Sequence, residues 1–279
     1  MTDRALVLGG GGLVGGAWAI GMLAGLADAG VDLTAADLVI GTSAGSLIGA
    51  QLASGRSVEE LYEEQLGGPD GGVTVRVTLG QTARFLWAAL GSRNPEIAVR
   101  RLGRAALGAR TVPESDVHEA IGTLLPVRDW PGRPLKVAAV DARTGELTVF
   151  DSGSGVSLPL AVAASCAVPL VWPPITLGQR RLVDGGIRST ANADLASGHR
   201  RVAIIAPIPK GPGPMPSTAR QAAELTRDGA EVALAVPGDA ARRAMGRNLL
   251  DPARRAAAAR AGRAEADAYA ATMAAVWND

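Results

Sequence analysis

Gly41-Thr42-Ser43-Ala44-Gly45 closes the apolar run Asp37-Leu38-Val39-Ile40 and leads into Ser46-Leu47-Ile48-Gly49-Ala50-Gln51-Leu52-Ala53. The run predicts a buried strand, the second stretch a helix, and the Gly-x-Ser-x-Gly between them a nucleophile elbow. In such a turn Gly41 and Gly45 remove Cβ clashes and Ser43 stands at the tip. The helix N-terminus behind it supplies partial positive charge and free N–H groups, which favour an alkoxide. The same pentapeptide also fits a plain strand-to-helix turn in an Ala/Gly-rich chain, so the choice rests on what surrounds it.

Upstream, residues 5–8 predict a short buried strand, residues 9–16 a glycine loop and residues 17–29 a helix closed by Gly30. A glycine loop at a helix N-terminus presents backbone N–H groups to an anion. Gly10-x-Gly12-x-x-Gly15 has the spacing of a dinucleotide fingerprint, and Asp32 lies about 20 residues on, as a ribose-binding acid does. Asp32 precedes the second strand, however, whereas the ribose acid belongs at that strand's far end. The other use is an oxyanion hole, with N–H groups of Gly11 and Gly12 aimed at a carbonyl oxygen attacked by Ser43. Right-handed crossovers bring both loops to one edge of a parallel sheet.

Downstream, Ser57-Val58-Glu59-Glu60 is a capping box for a helix through Leu66, and residues 67–72 read as a glycine-rich boundary loop. Residues 73–112 read as helical and basic. Arg76, Arg84, Arg93, Arg100, Arg101, Arg104 and Arg110 face the single acid Glu96, with Phe85, Leu86, Trp87 and Leu90 among them. This segment fits a lid that touches anionic lipid or a membrane surface, and equally a solvated amphipathic face. Pro113 opens another helix, through Leu125. Residues 135–140 and 146–150 flank Arg143-Thr144-Gly145 as a hairpin, an antiparallel pair on an otherwise parallel sheet. A helix over 157–167, a strand over 201–206, a rigid loop over 207–216 and helices from 218 onward complete the chain.

Arg181-Leu182-Val183-Asp184-Gly185-Gly186 predicts a short strand ending in an acid, with glycines that turn the backbone beneath it. A carboxylate so placed can take a proton from a serine hydroxyl, although Asp-Gly also marks common hairpin turns. A serine triad needs a histidine, and only His118 and His199 are present. One falls on a surface helix and the other in a turn before a strand, which leaves Asp184 as the candidate base.

Taken in order, Gly10-Gly11-Gly12-Leu13-Val14-Gly15, Gly41-Thr42-Ser43-Ala44-Gly45, Ala164-Ser165-Cys166-Ala167-Val168-Pro169 with Pro173-Pro174, and Asp184-Gly185-Gly186 resemble the patatin-like phospholipases over residues 6–206. Asn192-Ala193-Asp194-Leu195 fits its bacterial members. The resemblance implies an α/β/α three-layer sandwich with a mostly parallel central sheet. It implies a Ser43–Asp184 dyad, an oxyanion hole near Gly10, Gly11, Gly12 and Leu13, no metal or cofactor, and acyl ester hydrolysis on lipids. Acyl transfer from Ser43 to an alcohol, amine or thiol, and lipid binding without catalysis, are the alternatives. Val14 departs from the family, whose glycine loop often carries Arg or Lys there.

The 279 residues suit one large domain, with a lid at about 73–125 and a helical extension at about 217–279. A net charge of +1 gives no sign of nucleic-acid binding. Only Lys136 and Lys210 are lysines, so individual arginines carry less information in so Arg-biased a chain. The single Cys166 excludes an intramolecular disulfide. Residues 5–27 are uncharged, but eight glycines interrupt them, so they predict strand, loop and helix rather than an export signal or a membrane span. The expectation is a cytoplasmic protein with transient membrane contact; oligomeric state is left open.

Overall fold

A computed structural model describes residues 3–67 and 79–278. The elements run β1 (Arg4–Leu8), α1 (Gly12–Asp28), β2 (Leu38–Thr42), α2 (Ala44–Ala53), α3 (Val58–Leu66), α4 (Leu79–Leu90), α5 (Pro95–Leu107), α6 (Glu114–Leu124), β3 (Leu135–Asp141), β4 (Leu147–Phe150) and α7 (Leu158–Ser165). They continue with β5 (Ile175–Leu177), β6 (Arg180–Asp184), β7 (Arg201–Ile205), α8 (Thr218–Arg227), β8 (Glu231–Ala235), α9 (Asp239–Met245), α10 (Arg255–Glu265) and α11 (Asp267–Trp277). The boundary loop expected at 67–72 and the first residues of the basic segment, with Arg76, lie outside the described residues apart from Gly67.

One sheet runs β5-β6-β3-β2-β1-β7-β8, with β4 on the free side of β3. Strands β3, β2, β1, β7 and β8 are parallel, and β4, β5 and β6 are antiparallel to their neighbours. Side chains alternate across it, as the pleat requires. Leu6, Leu8, Val39 and Ile205 face α1, α2 and α10, while Ala5, Val7, Ile40 and Ile204 face Leu225 of α8. Helices therefore cover both faces, which is why the central strands read as continuous apolar runs.

The register around β3 sets the site. Thr42 of β2 pairs with Ala138, and Asp184 of β6 pairs with the next residue, Ala139. Ala138 and Ala139 also pair with β4, on the opposite edge. Strands β2 and β6 thus share one edge of β3 and run toward each other, so their C-terminal ends meet.

Several expectations are corrected. Helix α1 starts at Gly12, not at residue 17, so Gly12, Gly15 and Gly16 belong to it. Glycine is a poor helix former, yet α1 is buried and its small residues admit close neighbours. A Cβ on Gly21 would lie 2.0 Å from Ala259 O, and one on Gly262 of α10 would lie 2.1 Å from Trp18 O. Gly21→Ala should therefore push α1 and α10 apart and lower stability by about 3 kcal/mol. Urea unfolding checks this, and an unchanged midpoint would show that the crossing is looser than the backbone spacing implies.

The basic segment, expected as helical, holds the helices α4 and α5 among the described residues. It divides at Gly91–Asn94, where the Asn94 side chain caps α5 by accepting the Ile97 N–H at 3.2 Å and Pro95 opens the first turn. Helix α7 ends at Ser165, short of residue 167. The region after 218 holds β8 as well as helices, because Glu231-Val232-Ala233-Leu234-Ala235 pairs in parallel with β7 at the sheet edge. Helices α10 and α11 pack on α1, β7 and β8, so this region shares the sheet's core. Among the described residues no helix is long and apolar enough to cross a membrane.

Candidate active site

Ser43 caps α2 directly after β2 with φ 54° and ψ −125°, a conformation that an L residue holds only under constraint from its surroundings. The two glycines of the turn make it possible by close approach. A Cβ on Gly41 would lie 2.4 Å from Ser46 Cα, and one on Gly45 would lie 2.1 Å from Leu8 O. The strained peptide is satisfied on both sides. Ser43 N–H donates to Ser165 Oγ at 2.9 Å, and the Ser165 hydroxyl donates in turn to Ala138 O at 2.6 Å. Ser46 Oγ donates to Ser43 O at 2.6 Å.

The head-on meeting of β2 and β6 delivers Asp184 to this turn, close enough to the Ser43 side chain for the hydroxyl to pull its pKa down. Gly186 N–H donates to Asp184 Oδ1 at 2.7 Å. A Cβ on Gly186 would lie 2.9 Å from that oxygen, and one on Gly185 would lie 2.5 Å from Ala138 O, so the tight turn demands small residues. Asp184 is only 4% exposed. Burial pushes its carboxyl up to about 6, against the opposing pull of the Ser43 hydroxyl and the Gly186 N–H. Burial, reinforced by the Asp184 charge, pushes the nearby Cys166 thiol up to about 12 and keeps it protonated.

The glycine loop lies alongside. A Cβ on Gly10 would stand 3.1 Å from Ser43 Cβ. Gly10, expected to line the oxyanion hole, donates its own N–H to Thr190 O at 2.7 Å, so it anchors the loop instead. Val14 N–H donates to Leu249 O at 3.0 Å. Among the described residues the N–H groups of Gly11, Gly12 and Leu13 have no partner, as befits the opening turn of α1. Gly12 takes φ +60°, and Cβ atoms on Gly11 and Gly15 would lie 2.7 Å and 2.9 Å from Pro207 Cβ. Val14, at the position where the family often has a basic residue, is fully buried in the core.

Neither histidine belongs to this group. His118 Nε2 lies 3.3 Å from Glu114 Oε1 on the outside of α6, and His199 Nδ1 lies 3.1 Å from Ala196 O in a turn. Two contributors had no legible role in the sequence. Ser165 bridges Ser43 to β3, as described above. Asn192, fully buried with φ 49°, places its Nδ2 3.1 Å from Thr42 Oγ1 and 3.2 Å from Gly185 O. It thereby ties the residue before Ser43 to the residue after Asp184. The positive φ that Asn tolerates was the available signal.

A family model described as patatin-like phospholipase matches residues 6–197. Among solved structures, the chain is similar to VipD from Legionella pneumophila at 14% identity and a TM-score of 0.47, over 99% of this chain and 67% of that one. It is also similar to the type III effector protein ExoU at 16% identity and a TM-score of 0.44, over 98% of this chain and 53% of that one. This chain thus spans about half the length of ExoU. No curated protein matches it.

Proposed function

Since the chain belongs to the patatin-like phospholipase family, we propose that it is a serine acyl hydrolase that cleaves carboxylic ester bonds of lipids through Ser43 and Asp184. The observation that carries this reading is the register that sets the buried Asp184 carboxyl against the strained Ser43 elbow, with neither histidine in that group. Asp184 takes the Ser43 proton as Oγ attacks the ester carbonyl. Negative charge moves to the carbonyl oxygen, where the N–H groups of Gly11, Gly12 and Leu13 receive it. Collapse expels the alcohol, which takes the proton from Asp184 and leaves an acyl-Ser43 ester. Water then attacks the acyl carbon and gives a proton to Asp184, and collapse of that intermediate releases the fatty acid as Asp184 returns the proton to Ser43 Oγ. Every step uses groups of the chain and water.

Exposure to a long-chain alkyl fluorophosphonate tests this without a known substrate. Intact mass should show one phosphonyl adduct on the wild-type protein and none on Ser43→Ala. The base works only when ionised, and the Asp184 carboxyl is raised to about 6. The labelling rate should therefore climb about tenfold per pH unit below that value and level off above it. An adduct that persists in Ser43→Ala, or a rate indifferent to pH across this range, would remove the assignment.

A further inference from the structure

Helix α4 is apolar on two sides. Phe85, Ala88 and Ala89 face inward and pack with α5, Met215, Val183 and Ile187. On the other side Ala83, Leu86, Trp87 and Leu90, spaced i, i+3, i+4 and i+7, face solvent. Trp87 is 70% exposed and Leu90 62%, and Ile97 of α5 extends the strip at 49%. Large side chains so clustered and so open mark a surface built to meet another phase or partner.

The charge along α4 and α5 is almost all positive. The Arg101 guanidinium stacks over the Trp87 ring, 4.4 Å from its centroid. Arg84, Arg93, Arg100 and Arg104 are exposed nearby, and the segment's only acid, Glu96, is paired with Arg100 at 3.9 Å. Arg84, Arg93 and Arg104 form no ion pair among the described residues. Arginine bidentately binds phosphate, and tryptophan favours the boundary between headgroups and acyl chains. The helices that carry the strip adjoin the candidate site through their opposite, inner side. Val183 and Ile187, which bracket Asp184, pack against the inner side of α4–α5, and Gln81 Nε2 of α4 donates to Leu170 O at 2.8 Å.

We propose that the outer face of α4–α5, centred on Trp87 and Leu90 and rimmed by Arg84, Arg93 and Arg104, docks on an anionic lipid bilayer. Its purpose, delivery of a membrane ester to Ser43, rests on the reading of that site given above. The apolar strip enters the interface, and the arginines meet lipid phosphates, an attraction that salt weakens.

The test is co-sedimentation of the Ser43→Ala protein with vesicles of phosphatidylcholine alone or mixed with phosphatidylglycerol. The parent should pellet with the mixed vesicles, weakly with phosphatidylcholine, and less as salt rises. The double variants Trp87→Glu/Leu90→Glu and Arg93→Glu/Arg104→Glu should each bind the mixed vesicles at least about tenfold more weakly. All four positions are exposed, and thermal melting of each variant checks the fold. Parent-like binding by the variants, or a parent that ignores anionic vesicles, would overturn the proposal. So would sedimentation velocity showing a dimer that Trp87→Glu/Leu90→Glu dissolves, since a second copy would then occupy the face. With Ser43 intact, the same variants should hydrolyse p-nitrophenyl butyrate at the wild-type rate. If the wild type fails on that soluble ester while its vesicle binding behaves as described, the hydrolase reading falls and the docking surface stands.

Discussion

Ser43→Ala should lower hydrolysis of a long-chain acyl ester by about 10⁵-fold, because it removes the atom that forms the covalent intermediate and leaves only the oxyanion donors and binding. Stability should barely move. Alanine inherits the strained backbone at φ 54°, and the contacts that hold it use Ser43 N–H and C=O, which the substitution keeps. Steady-state assay of the purified variant beside its unfolding midpoint measures both. Activity within tenfold of wild type would place the chemistry elsewhere, whereas lost activity with a collapsed midpoint would trace the loss to the fold.

Asp184→Asn should abolish turnover almost as fully, by about 10⁴-fold, and yet make the protein more stable at neutral pH. Asparagine can still accept the Gly186 N–H, but it cannot take the serine's proton. The stability gain follows from burial. The carboxyl is raised from 3.8 to about 6 in the folded protein, so folding favours its protonated form. That contribution is complete below about pH 3.8 and is lost as pH rises through about 6. At pH 7 the wild type carries the full cost of a buried charge, about 3 kcal/mol, which the amide avoids. Thermal melts should favour Asp184→Asn at pH 7 and converge near pH 4. A variant less stable than wild type at both pH values would mean that Asp184 serves packing rather than chemistry.

The strand, elbow and helix around Ser43 were legible because local pattern and tertiary demand agree there: an apolar run, two glycines forced by contact, and a short helix. The acid was expected as the partner of Ser43 from the lack of a suitable histidine and the order of the motifs, but how the two meet was not legible, since that depends on two strands sharing one edge of β3. Glycine misled at α1. A run of glycines reads as loop by propensity, whereas Gly12, Gly15 and Gly16 lie in the first turns of a buried helix. Strand β8 escaped notice because its five residues alternate too briefly to stand out among alanines. Ser165 reaches Ser43 across 122 positions through hydrogen bonds that no spacing rule encodes.

Thr42 and Asp184 lie about 140 residues apart, and pairing with β3 brings them together. This arrangement has a consequence for the order of events during synthesis. A growing chain that has made β1, α1 and β2 already carries its nucleophile, but the base is not yet translated and the strand that will align the two is still unpaired. Such long-range closure is slow and comes late in folding. On the proposed chemistry, ester cleavage therefore switches on in a single step, when β6 docks on β3. Competence is timed by topology, and a half-made molecule carries an inert serine.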